Sequence, residues 1–94
     1  MLDIKLKESE KEVLDRTTNT LTYFFENGEI KAEGPYIKGR PEGEWKYYRK
    51  SGELWKIGHY QSGLKHGPWV SFDKNGDEEF KLKYKEGKIA VGKK

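Results

Sequence analysis

Two histidines, His59 and His66, sixteen acidic residues and nineteen lysines and arginines are the side chains here that could move protons or hold charge. Proton transfer needs a base held against its substrate and oriented by a neighbour. The histidines fall in different segments, and neither has a motif around it. Acidic residues are scattered among lysines, as on a solvated sheet. No HExxH, GxSxG, Walker or dinucleotide fingerprint is present. No glycine loop leads into a helix that could cradle a phosphate. Cysteine is absent, which excludes disulfides, thiolate metal sites and a thiol nucleophile. Neither an enzyme, a cofactor, a metal site nor a small-molecule substrate is indicated.

Binding chemistry is better supplied. Rings make up 14% of the chain, while apolar residues reach only 33%. Large rings bury much surface each, so they let a thin core hold. Phe24, Tyr48 and Phe72 form a column with a spacing of 24 residues. Lys31, Trp55 and Glu79 fall where their cross-strand partners should stand. Trp55 is the tryptophan that no repeat slot demands, and it is the foremost candidate for a partner-binding anchor. With Tyr48, Phe24 and Phe72 it would form a platform on the sheet face opposite the repeated tryptophans and glycines. The alternative is that these rings shield their own sheet. At the C-terminus, residues 81–94 hold six lysines and one acid, Glu86. Lys81, Lys83 and Lys85 alternate and share a face, where they could meet anionic headgroups. On an edge strand the same lysines would deter sheet-to-sheet pairing. The row lacks interleaved aromatics, which argues against nucleic acid.

The elements that carry these residues repeat. Shifting the chain by 24 superposes Gly28, Gly52 and Gly76; Tyr36, Tyr60 and Tyr84; and Gly39, Gly63 and Gly87. Gly34 falls on Gly58, Gly43 on Gly67 and Trp45 on Trp69. A period near 24 is the mark of stacked units. Each unit reads as two strands. Asn27-Gly28, Ser51-Gly52 and Asn75-Gly76 are expected to close two-residue hairpins, with looser links between units. That register sets Phe25 against Ile30, Tyr23 against Ala32, Leu21 against Gly34 and Trp45 against Gly58. A glycine opposite an indole leaves room for the ring, so Trp45 is expected over Gly58. Leu82 opposite Trp69, and Val91 in place of the closing glycine, mark a decayed last unit.

We therefore expect an all-β fold, a single-layer antiparallel meander of repeated hairpins with an N-terminal cap segment. The divisions are 1–20 for the cap and 21–94 for the repeats, at about 21–44, 45–68 and 69–92. Leu2, Ile4 and Leu6 alternate as in a strand. Val13 to Asp15 could pair back on Leu21 to Phe25, with a poor helix over Glu8 to Asp15 or a disordered arm as alternatives. No stretch has signal-peptide or membrane-span length, so a soluble, cytoplasmic chain is expected. The net charge of +3 does not by itself imply nucleic acid.

The pattern YxxGxxxGxWxYYxxxGxLxxxGxYxxGxxxGxW, running from Tyr36 to Trp69, resembles the MORN (membrane occupation and recognition nexus) repeat, closest to its bacterial variant. The likeness covers roughly residues 21–88 in about three copies. Ser71 for tyrosine, Leu82 for glycine and Glu78 for an aliphatic residue are the departures. The resemblance implies an elongated, curved sheet of successive hairpins, used as an interaction or spacer module. Such arrays occur in lipid kinases, junctional membrane proteins, histone methyltransferases and cytoskeletal scaffolds; small bacterial ones are often labelled antitoxin-like. The expected function is non-enzymatic: a protein–protein interaction or scaffold module, with a protein partner or self-association. The alternative is peripheral binding to anionic lipid through the C-terminal lysines.

Overall fold

The structure, a computed structural model, describes residues 11–91. The alternating Leu2, Ile4 and Leu6 lie outside the described residues. Among the described residues there are ten strands and no helix. They are β1 (Glu12–Asp15), β2 (Thr20–Phe24), β3 (Ile30–Ile37), β4 (Arg40–Pro41), β5 (Gly43–Tyr48), β6 (Leu54–Gln61), β7 (Leu64–Lys65), β8 (Gly67–Phe72), β9 (Glu78–Lys85) and β10 (Lys88–Val91). The sheet runs β1-β2-β3-β5-β6-β8-β9-β10, every pair antiparallel, with β4 and β7 as short returns on β3 and β6. This is the expected open meander. Val13 and Leu14 pair with Thr22 and Leu21, so β1 is a strand on the outer side of β2 and Glu12 to Asp15 are not helical.

The pairing Trp45↔Gly58 is as expected, as are Tyr23↔Ala32 and Leu21↔Gly34. The turns are not. At the first hairpin Gly28 N–H donates to Phe25 O (3.0 Å), and Phe25 N–H donates to Glu29 O (2.8 Å). Only Gly28 has positive φ there, at 92°. This is a three-residue loop with glycine in the left-handed position, not a two-residue loop. The same bonds recur at Arg49–Gly52 and Asp73–Gly76. The longer loop shifts the register, so Phe24 pairs with Ile30, and a bulge at Lys31 restores it by Tyr23↔Ala32. Trp55 and Glu79 are the bulge residues of the other two units. The links between units are the tight ones. Lys38-Gly39, Ser62-Gly63 and Glu86-Gly87 have positive φ at both residues, and the first joins the pair Ile37↔Arg40. Primed two-residue turns match the strand twist, so they set each new strand back against the last.

The side chains of one face pack together. Leu21, Ala32, Trp45 and Trp69 are buried, with Tyr36, Tyr47 and Tyr60 packed against the first three. The indole of Trp45 does not lie over Gly58. It lies over Gly34 on the preceding strand, where any Cβ would clash with the ring. Trp69 covers Gly58 in the same way. Each indole N–H fixes that choice: Trp45 Nε1 donates to Pro35 O at 2.9 Å, and Trp69 Nε1 to His59 O at 3.0 Å. A glycine therefore stands wherever the next unit supplies an indole. One period beyond Trp69 the chain has Lys93, so the slot at Leu82 has no indole to admit.

Gly58→Ala is expected to cost about 1–3 kcal/mol by overpacking. In a Trp69→Leu background the cost should fall below about 1 kcal/mol, while a Trp45→Leu background should leave it whole. Urea unfolding of the single and double variants measures this. Relief by Trp45→Leu instead would show that the indole faces the other way.

Candidate binding face

The tryptophan face carries a continuous line of rings. Tyr23 contacts Trp45 at 6.4 Å between centroids, and Trp45 meets Tyr60 edge-on at 6.0 Å. Tyr47 and Tyr60 both pack on Trp69, at 5.7 and 5.2 Å, and Trp69 on Tyr84 at 6.0 Å. Tilted and edge-on pairs at these separations each add about 0.5–1.5 kcal/mol beyond burial. Tyr47 and Tyr60 share a hydrogen bond between their hydroxyls at 2.7 Å. Burial, and then that bond, push the Tyr47 phenol well above its ordinary value. Burial, followed by the nearby Glu12 charge, raises Tyr23 as well.

Three lysines share this face through the register. Lys31 lines a hollow with Tyr23, Trp45 and Tyr47. Lys56 lies across from Tyr47, its ammonium 4.1 Å from the centre of the Trp55 ring. The Lys65 ammonium sits 4.7 Å from the Trp69 ring and 4.9 Å from that of Tyr84. Burial, and then the charge of Lys65, lower the affinity of Lys56 for its proton.

The sequence-chosen residues divide between the two faces. Trp45 and Tyr47 occupy the tryptophan face, so the alternating Tyr48 points to the other. Phe24 and Phe72 hold the same slot, and all three are half-buried. Their cross-strand partners are Ile30, Leu54 and Glu78, not Lys31, Trp55 and Glu79. As a bulge residue, Trp55 turns instead toward a hollow it lines with Lys56, Lys65, Trp69, Ser71 and Phe80. The structure thus does not bring Trp55 together with Phe24, Tyr48 and Phe72. Trp55 is 39% exposed and Phe80 60%. Phe80 was missed because it stands where the other copies have Ala32 and Lys56. The register that sets Trp45 against Gly58 also sets Tyr47 against Lys56, so the signal for Lys56 was present in the sequence.

Lys81 and Lys83 pair with Val70 and Pro68, on the face away from the tryptophans, and Lys85 pairs with Lys88. All four are exposed. Among the described residues β10 pairs with β9 over Lys83–Lys85, so that part of β9 is not an edge, while Lys88 lies on β10 at the end of the strand order. The histidines contact different backbone groups. His59 Nδ1 is 3.2 Å from Pro68 O, and His66 Nδ1 accepts the Glu86 N–H at 3.4 Å. Among the described residues no cluster of histidine and carboxylate side chains could hold a metal ion. No described helix is long and apolar enough to cross a membrane.

A family model for the MORN repeat variant matches residues 18–38 and 41–62. Two copies of that variant are thus matched, consistent with a MORN-repeat protein. A third unit over β8 and β9 repeats the loop, the bulge and the ring contacts. No curated protein and no solved structure matches the chain. MORN repeats are typically associated with protein or membrane-lipid binding, and the family is generally non-enzymatic.

Because the Tyr47 phenol is raised, its contribution to stability is present below the unfolded value of 10.0 and fades as pH rises above it. Tyr47→Phe should cost about 1 kcal/mol at pH 8. The gap between parent and variant should close above pH 10.0. Urea melts of both across that range check this, and an unchanged gap would contradict it.

Proposed function

We propose that this chain is a non-catalytic binding module that receives a protein partner on its tryptophan face. The carrying observation is one-sidedness. A single sheet layer packs its indoles and the tyrosines between them along one face, and no second described layer covers them. At one end that face leaves Trp55 and Phe80 exposed beside half-buried lysines. Aromatic anchors flanked by cations are what protein interfaces concentrate. A scaffold role fits the same face. Phe24, Tyr48 and Phe72 are half-buried on the other face, so they offer a partner less apolar surface than Trp55 does.

A second reading, binding to anionic lipid, rests on Lys81, Lys83, Lys85 and Lys88 sharing one exposed face. Such binding would weaken steeply with salt.

Trp55→Ala with Phe80→Ser should abolish capture of the chain's partner from its native host, at a stability cost below about 1 kcal/mol. Trp45→Ala should cost about 3–5 kcal/mol. Lys81→Glu with Lys83→Glu should leave capture intact. Capture lost with the lysines and kept without Trp55 and Phe80 would favour the lipid-facing side and overturn the proposal. Pull-down and urea unfolding on the same preparations give both readouts.

A further inference from the structure

Ser71 breaks the repeat in a way that opens space. Its slot holds Tyr23 and Tyr47 in the first two units. Tyr47 covers the small Ala32 on the preceding strand, whereas Ser71 faces Lys56 there and Phe80 on the other side. Beside the buried Ser71 there is a hollow of about 210 Å³, lined also by Trp55, Lys56, Lys65, Trp69 and Phe80. That is space for a few water-sized groups, enough for one acidic side chain.

The hollow is cationic as well as aromatic. Both ammonium groups rest against ring faces, and neither is ion-paired among the described residues. Glu79 stands at the rim without forming such a pair. Two cations held close together in a partly dry site repel one another, and an incoming anion relieves that cost. The depressed proton affinity of Lys56 agrees with this geometry.

We propose that the Ser71 hollow binds a carboxylate side chain of an extended, acidic peptide segment in the partner, with apolar residues beside the acid resting on Trp55 and Phe80. The site rests on the proposed use of the tryptophan face and names the chemistry that the face selects. Charge complementarity points to an anion, and the exposed rings on either side require apolar flanks. A bilayer fits less well. The exposed row of Lys81, Lys83 and Lys85 lies on the opposite face, so one membrane plane could not meet both sets of cations.

The test uses two capped peptides, acetyl-Phe-Glu-Phe-amide and acetyl-Phe-Gln-Phe-amide, titrated into the full chain. The indole N–H signals of Trp55 and Trp69 report binding by NMR. The glutamate peptide should move both signals and bind about tenfold more tightly than the glutamine peptide. Lys56→Met with Lys65→Met keeps the stems and should erase that preference. Ser71→Tyr, which restores the repeat residue, should abolish binding of both peptides with the sheet intact. Equal affinity for the two peptides would overturn the proposal, as would a preference that survives loss of both lysines. Displacement by inorganic phosphate at equal concentration, or the same shifts with phosphatidylserine vesicles, would also overturn it in favour of another anion source. If Ser71→Tyr still captures the native partner while Trp55→Ala with Phe80→Ser does not, the hollow fails and the face reading stands. If neither variant affects capture, both fail.

Discussion

Everything in this sheet depends on an indole lying flat on a glycine of the unit before it. Trp45 covers Gly34 and Trp69 covers Gly58, so close that no side chain could be added beneath. The contact removes a large apolar ring from water without a second layer above it. Its N–H then donates to a backbone carbonyl of the same preceding strand. That pays the polar cost of burying an indole and leaves one favoured orientation for the ring. Because the clasp runs from each unit to its predecessor, it joins units and not merely the two strands of one hairpin. The tyrosines then fill in between the indoles, and Tyr47 and Tyr60 lock to each other through their hydroxyls.

This arrangement explains how a chain with 33% apolar residues holds a fold. Few side chains need to be buried when two of them are indoles, packed among tyrosines on one face. The remaining links between units are polar and lie at the sheet's two margins. Arg49 donates to Phe72 O at 2.7 Å, and Asn27 to Lys50 O at 3.3 Å, beside the hairpin loops. At the other margin the Ser62 N–H donates to the Glu42 carboxylate. Surface ion pairs add little; the pair Lys11–Glu26 is exposed and 3.9 Å long.

Much of the fold was legible because glycine and tryptophan spacing encodes both the period and the register. The meander, the pairing of Val13 and Leu14 with β2, and Trp45↔Gly58 could all be read from residues. The direction of the indole could not. Trp45 has a glycine on each side, Gly34 and Gly58, and strand register alone does not choose between them. The hydrogen-bond acceptor does, and it comes from the three-dimensional approach of the preceding strand. Asn-Gly misled in a related way. It favours a primed two-residue turn, yet these hairpins use only the glycine's positive φ and take a longer loop. The compensating bulge moved Trp55 onto the tryptophan face, beside Lys56 and Phe80. The position of β9 inside the sheet escaped notice because Lys88–Val91, only four residues long, is too short to announce a strand by alternation.

The same contact separates structural from available rings. Trp45 and Trp69 are committed to the clasp, while Trp55 is bulge-borne and exposed, with the cations of Arg49 and Lys56 against its ring. Hydrogen exchange of the three indole N–H groups, followed by NMR, tests this division directly. The account predicts that the Trp45 and Trp69 protons exchange slowly, through global unfolding, and that the Trp55 proton exchanges without it. Equal rates for all three, or a slow Trp55 beside a fast Trp45, would contradict it.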